Sequence, residues 1–199
     1  MAIKPILFNT EMVRAILDGR KSCTRRICKD ANEYVVPDMD FFNADKRTYA
    51  VHNFADQEHT EQLSTAERSC PICPGDILYV RETWYKSPSR YMYRADYSDT
   101  EKFYRDGKEI EMKWHPSIHM PKEAARIWLR VTDVRVERLQ EITLEQICRE
   151  GVEIEYPYVL NGEEKIYAFS NLWNGTVKKS ELDRYGWDAS PWVWVIEFE

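Results

Sequence analysis

Residues 10–26 read TEMVRAILDGRKSCTRR, and this stretch decides the fold reading. Thr10 is placed to cap a helix, because its side-chain oxygen can accept an orphan backbone N–H. Met12, Val13, Ile16 and Leu17 then recur at helical spacing, and Gly19 suits the left-handed residue that closes a helix. Arg20, Lys21, Ser22, Cys23, Thr24, Arg25 and Arg26 follow at once. The spacing predicts them on a loop or turn just past the helix C-terminus, where cations are electrostatically favoured. Residues 14–29 hold six basic side chains against Asp18 alone.

That local excess stands out against the whole chain. Its 199 residues carry 28 Lys and Arg against 34 Asp and Glu, a net charge of -6. This excludes a generally basic, sequence-blind nucleic-acid coat and leaves room for a local basic site. The length fits one domain or one domain with insertions. No apolar run approaches the roughly 18 residues of a membrane span. The start, MAIKPILFNTEMVR, lacks a charged-then-apolar leader, so a cytoplasmic protein with no membrane partner is expected.

Further along, residues 31–69 read as a polar insertion with little apolar periodicity, and residues 85–125 as a second one rich in Tyr, Lys and Asp. Pro74-Gly75-Asp76 marks a turn before a buried strand at Ile77–Val80. Ile127–Val131 and Val134–Val136 alternate with period two and predict a long strand. Thr143 with Gln146 has the capping-box spacing of a short helix, with Ile147 and Cys148 expected inward and Gly151 as exit. Trp192–Phe198 is the final strand. The order of elements predicts an α+β domain, a small mixed barrel with helices on its rim.

Lys21 and Thr24 are three apart, so one helical turn would set an amine beside a hydroxyl. Such a pair can work as base and nucleophile when nearby cations or burial lower the amine's pKa. Arg20, Arg25 and Arg26 can do that lowering, or hold ligand phosphates. The same run also suits a solvated turn.

The pattern Gly-x-Lys-x-x-Thr-x-Arg, realised at Gly19, Lys21, Thr24 and Arg26, resembles the signature of the ASCH domain, whose fold is related to the PUA RNA-binding domain. The resemblance extends over roughly 1–30, 74–84, 126–155 and 190–199 and skips both insertions. Val80-Arg81-Glu82-Thr83-Trp84 and Trp114–Pro121 make the chain similar to enlarged ASCH proteins of phages and prophages. The resemblance implies a PUA-like small β-barrel enlarged by insertions at about 31–69 and 85–125, in a single domain. It also implies an amidohydrolase that deacetylates N4-acetylcytidine with Lys21, Thr24 and Glu150 and needs no cofactor. Arg26 or a backbone N–H near Ser22–Thr24 would supply the oxyanion donor. A non-catalytic module for RNA or a modified base, or a ribonuclease, is the alternative that the family leaves open. In that reading Arg20, Lys21, Arg25 and Arg26 bind phosphate and Trp84 or Tyr85 stacks on a base. Glu82 is the substitute carboxylate if Glu150 points away.

Five cysteines without a leader predict reduced thiols. Cys70-Pro71-Ile72-Cys73 supplies half of a zinc site and lacks a clear second half, so two thiols in a turn are expected there. Seven Trp, twelve Tyr and seven Phe predict a β-rich, aromatic core.

Overall fold

The computed structural model describes residues 1–31, 34–105, 107–152 and 162–199. The chain groups into two compact units, one of Met1–Lys21 with Asp76–Arg130, the other of Ser22–Gly75 with Val131–Glu199. Residues 153–155, the end of one matched segment, lie outside the described residues.

In chain order the strands are β1 (Ile3–Leu7), β2 (Cys23–Ile27), β3 (Val35–Asn43), β4 (Thr48–Phe54), β5 (Gln62–Ser69), β6 (Ile77–Arg81), β7 (Trp84–Lys86), β8 (Tyr91–Tyr93), β9 (Phe103–Arg105), β10 (Lys108–Ile110), β11 (Trp128–Arg138) and β12 (Trp192–Phe198). The helices are α1 (Thr10–Leu17), α2 (Leu144–Arg149), α3 (Glu163–Thr176) and α4 (Leu182–Tyr185). The fold is mixed α+β, and among the described residues no sheet closes into a barrel.

In the first unit β1 pairs in parallel with β6, whose Ile77, Leu78 and Tyr79 pair antiparallel with the start of β11. Ile6, Leu78, Val80 and Leu129 point to the buried side, as period two requires. The first helix begins one residue earlier in its capping than the sequence suggests. Asn9 is the N-cap, with Oδ1 accepting the Met12 N–H at 2.8 Å, and Thr10 is already helical. Gly19 closes the helix at φ 72°, a conformation that a side chain would strain. The region expected as an insertion at 85–125 holds the short pairs β7–β8 and β9–β10 and three single turns of 3-10 helix. Trp84, Met120 and Ala124 form a small core of their own there.

In the second unit the rest of β11 pairs with β12, and β12 with β2. One face of β12 carries Val193 and Val195 into a core with Leu139, Ile147, Phe169, Trp173 and Tyr185, which seats α2, α3 and α4. Trp173 keeps its indole N–H satisfied inside that core by donating to the Tyr185 carbonyl at 2.8 Å. The other face of β12 presents Trp194, edge-on to Tyr49 at 4.9 Å between ring centroids. Tyr49 belongs to β4, the middle strand of a sheet ordered β3-β4-β5. The polar stretch 31–69 is therefore a three-stranded antiparallel sheet. Its strand β5 is exposed along almost its whole length, so it lacks the apolar alternation that marks a half-buried strand. α3 is a second element that the sequence reading missed, since only Phe169 and Trp173 of its fourteen residues are buried.

The capping box of α2 forms as expected, with Thr143 and Gln146 exchanging backbone and side-chain hydrogen bonds. Ile147 faces inward, but Cys148 is exposed, because the next position around the helix turns away from the core. All five cysteines are free thiols. Burial pushes the Cys28 thiol up to about 11 and the Cys70 thiol up to about 12. We expect a thiol reagent at pH 8 to modify Cys148 first, with Cys23, Cys28, Cys70 and Cys73 reacting only on unfolding. Peptide mapping of the labelled protein checks this, and equal labelling of Cys70 and Cys148 in the folded state would contradict it.

Candidate functional site

The basic run is a strand where a turn was expected. Cys23–Ile27 form β2 along β12, with Thr24 opposite Ile196, Arg25 opposite Val195 and Arg26 opposite Trp194. Period two then separates the side chains. Arg25 turns toward the core face that α2 covers, while Thr24 and Arg26 share the opposite face.

Arg25 is almost wholly inside the protein, its side chain 1% exposed. Its Nη1 donates to Glu150 Oε1 at 3.1 Å. Its Nη2 donates to Glu137 Oε2 at 3.2 Å and to Gln146 Oε1 at 3.0 Å. That Gln146 oxygen is the one that also caps α2 through the Thr143 N–H. The guanidinium therefore ties β2, β11 and the N-terminal turn of α2 together. A buried cation needs such partners, because desolvation would otherwise cost several kcal/mol. The expectation that Arg25 faces solvent or a phosphate does not match this position.

On the other face Arg26 Nη1 donates to Thr24 Oγ1 at 2.8 Å and to the Arg25 carbonyl at 2.9 Å. Burial pulls the Arg26 guanidinium below its ordinary pKa, and the charge of Glu150 opposes that. The Thr24 hydroxyl thus accepts a charge-assisted hydrogen bond, and its own proton is directed elsewhere. Chemically, a guanidinium on the hydroxyl oxygen stabilises a developing alkoxide. Thr24 is 2% and Glu150 5% exposed.

A second charged chain continues along the same unit. Arg149 donates to both oxygens of Glu197, and Arg135 donates to Glu197, Asp133 and Glu137. Arg149 Nε also donates to Ser22 Oγ at 3.2 Å, and the Ser22 N–H donates to the Arg149 carbonyl at 2.9 Å. Hydrogen bonds from Arg149 hold the Glu197 carboxyl below its ordinary range, against the effect of burial, and Arg135 adds to them. A lowered carboxyl stabilises the fold above its unfolded pKa of about 4.3, and that contribution disappears as pH falls through the folded value. We expect Glu197→Gln to flatten the acid limb of a stability-against-pH curve below about pH 4.5. Urea unfolding over that range checks it; an unchanged acid limb contradicts it. Arg135, Glu137, Arg149 and Glu197 carry no motif in the sequence, and Gln146 is marked there only as a helix cap. The signal for Arg135 and Glu137 is the alternating charge along β11.

Lys21, Arg20, Glu82 and Trp84 belong to the first unit. Lys21 is 4% exposed, with its ammonium 5.5 Å from the centre of the Phe8 ring and its N–H donating to the Ala15 carbonyl at 3.0 Å. Arg20 keeps a partly exposed guanidinium beside Asp18 at 2.9 Å, in line with a solvated turn. Glu82 is buried, and both its oxygens accept from Arg126 at 2.9 and 3.0 Å. Arg126 lies 4.0 Å over the Tyr93 ring and also donates to Asp96. Burial raises the Glu82 carboxyl, and Arg126 opposes the rise. Trp84 is buried against Met120 and Ala124, so its ring does not offer the open face that base stacking needs.

The Cys70 and Cys73 thiols are buried, and their S–H groups donate to the carbonyls of Ile72 and Cys70. Among the described residues no group of three His, Cys, Asp or Glu is arranged to hold a metal ion. Among the described residues no helix is long and apolar enough to cross a membrane. No family model, no curated protein and no solved structure matches the chain.

Proposed function

We propose that the chain is a nucleoside-directed amidohydrolase of the ASCH type, acting on an N4-acylated cytidine. One observation carries the reading. Only six polar or charged residues are fully buried among the described ones: Lys21, Thr24, Arg25, Asp76, Glu82 and Glu150. The three residues to which the family resemblance gives catalytic roles, Lys21, Thr24 and Glu150, are all among them. Burying a hydroxyl, an amine and a carboxylate is costly, and functional sites are where folds accept that cost.

In the proposed reaction Thr24 Oγ1 attacks the amide carbonyl and its proton passes to a basic amine, the role that the resemblance gives to Lys21. The tetrahedral intermediate collapses as the C–N bond breaks, and Glu150 relays the proton to the leaving cytidine amine. Water then cleaves the threonyl ester, releasing acetate and restoring the hydroxyl. Arg26 supports the attacking oxygen rather than the oxyanion, since its guanidinium already donates to Thr24. No cofactor enters these steps. Incubating the protein with N4-acetylcytidine and separating the products by chromatography tests the reading. Cytidine and acetate in equal amounts are expected; unchanged substrate would reject it.

A further inference from the structure

A surface that the proposed chemistry does not use lies on the outer side of the first unit's sheet. Period two sends Ile3, Pro5 and Leu7 of β1, Ile77, Tyr79 and Arg81 of β6, and Trp128 and Arg130 of β11 to this one face. Tyr79 and Trp128 are cross-strand partners, with ring centroids 5.9 Å apart. Trp128 is 45% exposed although its indole N–H is anchored on the Ala125 carbonyl at 3.3 Å. The ring is therefore held in one orientation with much of its surface open, so little ordering remains to be done on binding. The Lys122 ammonium lies 5.9 Å from the Tyr79 ring and 5.8 Å from the Trp128 ring. Arg81 and Arg130 extend the positive charge along the same face, against Glu123 beside Lys122 in the chain.

We propose that this face is a stacking platform for single-stranded nucleic acid. Paired aromatics on neighbouring strands accept splayed bases whatever their identity, and flanking cations meet the phosphates. The negative net charge of the whole chain is compatible with this, because the cations are local to the platform. The site is independent of Thr24 and stands or falls without it.

Fluorescence anisotropy of a labelled oligouridylate, titrated with the full chain at two salt concentrations, tests the platform. The wild type binds, more weakly at high salt. Trp128→Ala weakens binding roughly tenfold or more, while Trp128→Phe, which keeps a ring, retains most of it. Lys122→Ala flattens the salt dependence by about 0.7 in logarithmic slope, the value for one phosphate contact on a single strand. Three results would overturn the proposal: no binding by the wild type, equal binding by Trp128→Ala, or self-association abolished by Trp128→Ala without affinity for the oligonucleotide. The last would make the face a contact between copies of the chain.

Discussion

Replacing Arg25 with Ala is expected to lower the unfolding free energy of the second unit by about 3–5 kcal/mol. The reason is what stays behind. Glu150 and Glu137 would keep their positions with 6% and 19% of their side chains exposed, and their shared cation would be gone. Gln146 would keep its capping bond to Thr143 and lose its bond across to β2. A surface arginine would cost no more than about 0.5 kcal/mol, so the two placements are easily separated. Urea unfolding followed by tryptophan fluorescence reads the difference. The double variant Arg25→Leu with Glu150→Leu recovers part of the loss, because replacing both ions by apolar groups removes the unpaired charge. A loss below 0.5 kcal/mol for Arg25→Ala would place the guanidinium in solvent.

The second large effect concerns turnover. Thr24→Ala and Lys21→Ala are each expected to reduce the hydrolysis of N4-acetylcytidine by roughly three or more orders of magnitude. Groups that act as a unit fail together, so the double variant is expected to be little worse than either single one. Thr24→Ser keeps a hydroxyl for Arg26 to bind and retains measurable activity. Lys21→Arg places a guanidinium that cannot act as a base near neutral pH, and it is expected to be inactive. The stability of each variant, measured alongside, separates lost chemistry from lost folding. Single variants that retain wild-type turnover would remove both residues from the mechanism.

Much of the framework was legible in the chain because its signals are local. The helix closed by Gly19, the strands at Ile77 and Trp192, the long strand from Trp128 and the capping box of Thr143 and Gln146 each rest on residues a few positions apart. The basic run was misread for the opposite reason. Arg25 is a strand residue only because Glu137, Gln146 and Glu150 meet it, and each is more than a hundred positions away. Charge density alone suggests solvent; burial depends on partners that spacing does not reveal. Strand β5 shows no apolar alternation because it is exposed and held by its pairing with β4, and the buried run Tyr49-Ala50-Val51 of β4 is too short to mark a strand by period. Trp84 was expected at an open surface and is buried, since Met120 and Ala124 return to cover it. Within the candidate site, Lys21 and Thr24 stand in the motif, and Glu150 is implied only by the family resemblance. The role of Arg26 at the Thr24 hydroxyl is visible only once the strand sets alternate residues on one face.

In the proposed reaction the Thr24 oxygen becomes acylated. Rapid acid quench of the protein mixed with N4-acetylcytidine, followed by peptide mass mapping, tests it most directly. One acetyl group is expected on Thr24 of the wild type and none on Thr24→Ala. Cytidine formed with no acetyl on Thr24, or formed equally by Thr24→Ala, would contradict it.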